Sequence, residues 1–268
     1  MPLAVCATPI GNLEDVTLRV LRELAETDLV LCEDTRHTRG LLERHGIRAR
    51  LRSYHEHNEA SRTAEMLPRL QAGERIALVS DAGLPGISDP GARLVAATLE
   101  AGVAVTVLPG PSAVDTALVA SGFAAERYQF LGFLPRGEQA LGRVWEELAR
   151  WPWPAIVFES PRRLPTTLRS LAAVDPDREL AVCRELTKRH EQIVRGRAGE
   201  LSEQFAEPPK GEVTLVLGPG SERGPAYVAA ATEAVAELVA AGLPRRQAAA
   251  VVARLTGLPR KRLYDTSL

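Results

Sequence analysis

The sequence predicts an α/β protein made of two α/β domains followed by a small helical module, and three observations predict it. Through about residue 121, short apolar runs of strand length alternate with amphipathic helices, the pattern of a mostly parallel sheet covered on both faces. From Tyr128 onward strand-like runs follow one another without a helix between every pair, which argues for a mixed sheet. From Pro225 the composition turns alanine-rich and helical, in a helix–glycine turn–helix outline. These changes divide the chain into an N-terminal parallel-sheet domain (1–111), a second mixed-sheet domain (112–220) and a C-terminal helical module (225–268).

In order, Leu3–Ala7 is an apolar strand that breaks at Thr8-Pro9-Ile10-Gly11-Asn12. Asp15–Glu26 places Val16, Val20, Leu21 and Leu24 on one helical face. Strands at Asp28–Cys32, Leu51–Tyr54, Ile76–Val79 and Val103–Leu108 alternate with helices at Thr35–Arg44, Ser61–Leu70 and Gly91–Leu99. Ser112 caps a helix running to about Ser121. In the second half, Tyr128–Phe133, Ala155–Phe158, Leu180–Cys183, Gln192–Gly196 and Val213–Gly218 read as strands, with helices at Gly137–Arg150 and Arg162–Ala173. Helices at Tyr227–Ala241 and Arg245–Leu255 and a further turn before Lys261–Asp265 complete the chain, with Gly218–Pro225 as a linker.

Hydrophobic content of 45% with 25% charged residues is that of a globular protein able to build real cores. No apolar run approaches membrane-spanning length, and the N-terminus lacks the basic flank of a signal peptide. The 3 cysteines all sit in apolar strand contexts and read as buried free thiols in a reducing, cytoplasmic compartment. A net charge of −1 excludes a global basic field, so any nucleic-acid contact must come from local patches.

The stretch around which the rest is organised is Leu78–Val95, LVSDAGLPGISDPGARLV. A strand empties into a turn rich in glycine and proline and then into a helix, with Ser80, Asp81, Ser88 and Asp89 interleaved. Such a turn brings bare backbone and a few placed polar groups up to a small molecule. Thr8–Asn12, Glu33–Arg36 and Pro109–Ala113 end strands of the same sheet, and ligands of open α/β sheets bind along that edge. No dinucleotide fingerprint, P-loop, nucleophile elbow or metal-ligand spacing is present in the sequence, and His55-x-His57 reads as a solvated loop. Phe158-Glu159-Ser160-Pro161-Arg162-Arg163 and Arg184-Glu185-Leu186-Thr187-Lys188-Arg189 repeat the theme of a strand end followed by clustered charge.

ATPIGNLEDVTLR at Ala7–Arg19, CEDTRHT at Cys32–Thr38, SDAGLPGISDPG at Ser80–Gly91 and PGPSA at Pro109–Ala113 together resemble one known family. FESPRR at Phe158–Arg163, RELTKRHE at Arg184–Glu191 and GEVTLVLG at Gly211–Gly218 extend the likeness over nearly the whole chain. It is the family of small-subunit ribosomal RNA ribose 2′-O-methyltransferases, a branch of the tetrapyrrole-methylase superfamily. The resemblance implies two domains of the tetrapyrrole-methylase type with S-adenosylmethionine folded in the cleft between them. It also implies methylation of a cytidine 2′-hydroxyl in 16S ribosomal RNA of the small subunit, and a homodimer with no membrane association. Asp81-Ala82-Gly83-Leu84-Pro85 falls on the superfamily's G-x-G-D-P turn, with Leu84 in place of the usual acid. By the same likeness Pro9, Ile10, Gly11, Asp81, Ala82, Gly83, Ile87, Ser112 and Ala113 hold the cofactor, with Ser160, Leu186 and Thr214 lining it from the second domain. Glu33 matches an acid proposed as proton acceptor in tetrapyrrole relatives.

Methyl transfer to a ribose hydroxyl needs alignment and a proton acceptor. Glu33, Asp34, Glu159 and Lys188 are the candidates, and Asp34 reads equally well as a helix N-cap. Arg36, Arg162 and Arg189 suit flanking phosphates. Gly242–Tyr264 carries Arg245, Arg246, Arg254, Arg260, Lys261 and Arg262 without one acid, and Arg36–Arg52 is a second basic run broken only by Glu43. Two other readings compete: a methyltransferase of the same fold acting on a tetrapyrrole, and a non-catalytic RNA-binding protein that keeps the fold.

Overall fold

The structure, a computed structural model, describes residues 2–220, 225–256, 258 and 260–266. It divides into two compact units: Met1–Val119 with Arg184–Gln192, and Ala120–Cys183 with Ile193–Leu268.

The first unit is built on β1 (Leu3–Cys6), β2 (Leu29–Cys32), β3 (Leu51–Ser53), β4 (Ile76–Leu78) and β5 (Val105–Leu108), in the order β3-β2-β4-β1-β5. Every pairing in it is parallel. Strict alternation along the strands sends Ala4, Cys6, Val30, Cys32, Ala77 and Val79 to one face, packed under Val20 and Leu24 of α1 (Leu18–Glu26) and Leu41 and Leu42 of α2 (Thr35–Arg44). Leu3, Leu29, Leu31, Ile76 and Leu78 go to the other, under Met66 and Leu70 of α3 (Glu59–Gln71) and Leu94 of α4 (Ala92–Glu100). The chain thus winds toward β3 on one face and back toward β5 on the other. The winding reverses between the adjacent strands β1 and β4, and the turns after those two strands meet at this switch point.

The expected helix Asp15–Glu26 is two elements. Asn12 Oδ1 accepts the Glu14 N–H at 3.1 Å and starts a short 3₁₀ turn, Leu13–Asp15. Thr17 Oγ1 then accepts the Val20 N–H at 3.2 Å and starts α1. Two cap side chains in sequence make two starts. Ser112 does cap α5 (Ala113–Ser121), its Oγ accepting the Asp115 N–H at 3.3 Å.

The second unit carries β6 (Gln129–Phe133), β7 (Ala155–Glu159), β8 (Glu179–Arg184), β9 (Gln192–Arg197) and β10 (Val213–Leu217), in the order β6-β7-β10-β8-β9. β6 and β7 are parallel and β7 and β10 antiparallel, so this sheet is mixed. α6 (Glu138–Arg150) and α7 (Leu164–Val174) cover one face through Leu141, Trp145, Leu148, Leu164, Leu168 and Leu171. The same core takes Ala198 and Leu201 of α8 (Ala198–Gln204), a helix too short to show a period in the sequence. α9 (Pro225–Ala240), α10 (Arg245–Thr256) and α11 (Arg260–Thr266) enclose a small core of Ala231, Val235, Ala248, Ala249, Val252, Leu258 and Leu263. Residues 221–224 of the expected linker, and the side chain of Arg262, lie outside the described residues.

Candidate active site at the carboxyl edge of the parallel sheet

At the switch point the turns after β1 and β4 are stitched together. Thr8 N–H donates to Gly83 O at 2.8 Å and Gly83 N–H returns to Thr8 O at 3.1 Å, an isolated antiparallel bridge. The Thr8 hydroxyl, 3% exposed, donates at 3.0 Å to Ser80 O. Gly83 holds φ +78°, and a Cβ there would meet Ile10 Cγ2 and Pro111 O, each at 3.8 Å. Ile10 of the β1 turn, Gly83 of the β4 turn and Pro111 after β5 therefore converge on one spot. Asp81, Ser112 and Ala113 are half-buried beside exposed Ala82, and Ile87 stands 49% exposed. A bare turn with apolar side chains and a carboxylate at its rim suits a nucleoside carrying an amino-acid tail.

Residues 184–192 close over the β1 turn. Asn12 N–H donates to Thr187 Oγ1 at 3.0 Å. A Cβ on Gly11 would lie 2.5 Å from Lys188 Cγ and 2.7 Å from Thr187 Oγ1, so only glycine lets this segment approach. Glu185 and Thr187 hold positive φ angles of 53° and 65°, and with Ser88 at 60° they are the non-glycine residues in that region among the described residues. Backbone strain of this kind concentrates at functional sites. Leu186 is buried in the same segment.

The acidic candidates separate by environment. β2 and β4 are neighbours, so Glu33-Asp34 and Ser80-Asp81 end side by side, and Asp34 N–H donates to Asp81 Oδ1 at 3.1 Å. Asp34 caps α2, accepting the Arg36 N–H at 2.8 Å, and pairs with the Arg36 guanidinium at 2.8 Å. The hydrogen bonds from Arg36 hold its carboxyl well below the usual carboxylate range. Glu33 has the opposite bias: burial, then the charge of Asp81, raises its pKa. Asp89 is pushed up to about 6 by burial, and further by Glu33. The sequence places Asp89 in the glycine-rich turn but gives no sign of its burial, because nothing in a loop's composition announces desolvation.

Two candidates have other duties. Glu159 is 2% exposed and both its oxygens are taken, Oε1 by Ser160 N–H and Oε2 by the Thr167 hydroxyl, each at 2.6 Å, with Arg163 3.4 Å from Oε2. It fastens the turn from β7 into α7. Lys188 Nζ donates to Glu185 Oε1 at 3.0 Å. Ser160 and Thr214 belong to the second unit, at the end of β7 and within β10.

Among the basic candidates Arg162, Arg189, Arg246, Arg260 and Lys261 are exposed. Arg36 is exposed but committed to Asp34. Arg245 is only half-exposed: it donates to Tyr264 O and lies over the Tyr264 ring, 4.7 Å from its centre, clasping α10 to α11. The cysteines are buried free thiols, and burial pushes Cys6 up to about 12. No group of side chains suited to a metal ion occurs among the described residues.

His55-x-His57, expected as a solvated loop, lies in a turn with His57 exposed, between Tyr54, which is buried, and Glu59. The Tyr54 hydroxyl is buried and donates to Glu59 Oε1 at 3.1 Å, and the same oxygen accepts the Gly91 N–H at 3.0 Å. The glycine-rich turn after β4 is thereby anchored to the start of α3.

Residues 2–202 match the family model described as Tetrapyrrole (Corrin/Porphyrin) Methylases, and residues 227–268 match the RsmI C-terminal HTH domain. The chain is 45% identical to ribosomal RNA small subunit methyltransferase I of Synechocystis sp., over 99% of this chain and 97% of the relative. It is 43% identical to the protein of the same name from Mesorhizobium japonicum, over 98% and 90%. The fold is shared with uroporphyrin-III C-methyltransferase from Thermus thermophilus, a structure complexed with S-adenosyl homocysteine, at a TM-score of 0.56 and 19% identity over 80% of this chain and 96% of that one. With the parallel sheet, its stitched switch point and the helical C-terminal match in place, the chain belongs to the ribosomal RNA small subunit methyltransferase I family of tetrapyrrole methylases.

Proposed function

We propose that this chain is an S-adenosylmethionine-dependent methyltransferase acting on the ribose 2′-hydroxyl of a cytidine in 16S ribosomal RNA. The observation that carries the reading is the convergence of Ile10, Gly83 and Pro111 around open backbone at the switch point of the parallel sheet. There Pro9, Ile10, Gly11, Asp81, Ala82, Gly83, Ile87, Ser112, Ala113 and Leu186 would hold the cofactor. Bound S-adenosylmethionine supplies a methyl group already activated on a sulfonium, so the protein's task is alignment and proton removal. Glu33 accepts the hydroxyl proton. Its raised pKa makes it a stronger base than Asp34, whose charge is spent on Arg36 and the helix cap. Glu159 and Lys188 are already engaged.

RNA is held by exposed charge on Arg246, Arg254, Arg260 and Lys261 of α10 and α11, and by Arg39, Arg48 and Arg50 of the basic run after β2. With few aromatic residues in the chain, contact is to phosphates rather than by base stacking. No helix among the described residues is long and apolar enough to cross a membrane, and the work of such an enzyme lies in the cytoplasm. Two copies pair through the exposed edge strand β6, where Phe133 is 62% and Leu131 37% exposed.

The test offers labelled S-adenosylmethionine with small ribosomal subunits, naked 16S RNA or a porphyrinogen. Label in the RNA of either ribosomal sample supports the reading. Label in the porphyrinogen alone replaces it with tetrapyrrole chemistry, and cofactor binding without transfer to any acceptor leaves a binding protein.

A further inference from the structure

β3 runs parallel to β2 with Ser53 opposite Cys32, and Tyr54 N–H donates to Cys32 O at 2.8 Å. Glu33 and His55 therefore leave the sheet on neighbouring strands at the same edge. Asn58 brackets His55. Its Oδ1 accepts the His55 backbone N–H at 2.9 Å, which fixes the amide orientation and makes Nδ2 the donor on the other side. That Nδ2 lies 3.1 Å from His55 Nε2 and also reaches Ser53 O at 3.3 Å. A donor facing Nε2 requires Nε2 to accept, so the neutral imidazole carries its proton on Nδ1. Nδ1 is buried, and it has no hydrogen-bond partner. A buried N–H donor without an acceptor is costly, and one held at an active-site edge calls for an acceptor in the working complex.

We propose that His55 is a positioning residue for methyl transfer: Asn58 holds Nε2 as an acceptor, and the Nδ1–H orients the Glu33 carboxylate as it takes the ribose proton. The assignment rests on reading Glu33 as the proton acceptor. His55 is also the group that opposes burial and the carboxylates of Asp81 and Asp34 in setting the Glu33 pKa, and a neutral Nδ1–H acts in the same direction by donating to the carboxylate. Asp89 of the β4 turn also couples to Glu33. On its outer side His55 meets the His57 ring, 6.0 Å between centres, and Arg62 donates to the adjoining Ser53 O at 3.0 Å. In the working complex the result is a carboxylate–imidazole–amide chain, in which Asn58 sets the tautomer and the tautomer sets the donor.

Two substitutions divide the imidazole. His55→Asn places an amide N–H near the position of Nδ1, and His55→Gln reaches only toward Nε2. With full-length protein and saturating small subunits, His55→Gln should lower kcat about 10-fold or more, with S-adenosylmethionine affinity unchanged by calorimetry. The acid limb of its kcat–pH profile should move to higher pH, because the group that lowers the Glu33 pKa is gone. His55→Asn should recover most of the rate, and the pair Glu33→Gln/His55→Gln should be no slower than Glu33→Gln alone. A His55→Gln enzyme with wild-type kcat and acid limb overturns the proposal. So does a His55→Asn enzyme that falls as far as His55→Gln, or independent, multiplying losses in the double variant. Glu33→Gln at wild-type rate overturns the proton-acceptor reading beneath it, whereas a slow Glu33→Gln beside an unimpaired His55→Gln overturns the His55 assignment alone.

Discussion

Replacing Gly83 with alanine or valine puts a side chain where the turns after β1, β4 and β5 converge. At φ +78° an L-residue pays a left-handed penalty of roughly 1–2 kcal/mol. Sterically the new Cβ is tolerated, since Ile10 Cγ2 and Pro111 O are both at 3.8 Å, ordinary contact. The loss of stability should thus be that backbone term alone for alanine, a fall in Tm of roughly 2–4 °C per kcal/mol for a chain of this size. Cofactor affinity should drop much further, by about 10-fold for alanine, or about 1.4 kcal/mol, and more for valine. Gly73 provides the control. It has φ +89° with nothing near its Cβ and lies at the opposite edge of the sheet, before β4, so Gly73→Ala should cost similar stability and leave affinity intact. Calorimetric titration beside thermal unfolding reads both quantities. If Gly83→Val binds S-adenosylmethionine as the wild type does, the switch point is not the cofactor site.

Glu33→Gln should slow methyl transfer about 10²-fold or more at unchanged cofactor affinity, measured as single-turnover transfer to subunits. Asp34→Ala should mainly weaken the α2 cap and lower the urea midpoint, whereas Asp34→Asn, which still accepts the cap hydrogen bond, should stay close to the wild type. Asp89 titrates near 6 in the fold, above the ordinary carboxyl value, so its charge opposes folding above that pH. Asp89→Asn should then raise stability at pH 8, with the gain lost as pH falls through about 6 toward the unfolded value, checked by urea unfolding at pH 8 and pH 4. Changing Arg246, Arg254, Arg260 and Lys261 together to alanine should lower affinity for different RNA sequences alike. The slope of log affinity against log salt should become shallower by about 0.7 for each phosphate contact removed.

Much of the first unit could be read directly from the sequence because its strands are buried on both faces and its helices are amphipathic, so each leaves a clean period. The glycine-rich turn after β4 was legible for a related reason: glycine, proline and small polar residues mark where backbone is bared. Boundaries set by single side chains were not. Asn12 and Thr17 split one apparent helix into two starts, and α8 buries only Ala198 and Leu201. Among the acidic candidates, residue type alone could not distinguish Glu33 from Glu159. Their difference is three-dimensional: Thr167 and the Ser160 N–H occupy Glu159, while strand neighbours crowd Glu33 with charge. His55 looked like part of a polar loop, because its meaning lies in which of its nitrogens Asn58 engages.

We propose that the edge holding Gly83 and Glu33 delivers a methyl group to a ribose oxygen in ribosomal RNA. The direct measurement is nucleoside analysis by mass spectrometry of 16S RNA from subunits incubated with this protein and methyl-labelled S-adenosylmethionine. Label is expected in 2′-O-methylcytidine, abolished by Gly83→Val and strongly slowed by Glu33→Gln. Label in a base-methylated nucleoside, or label that survives both substitutions, would contradict it.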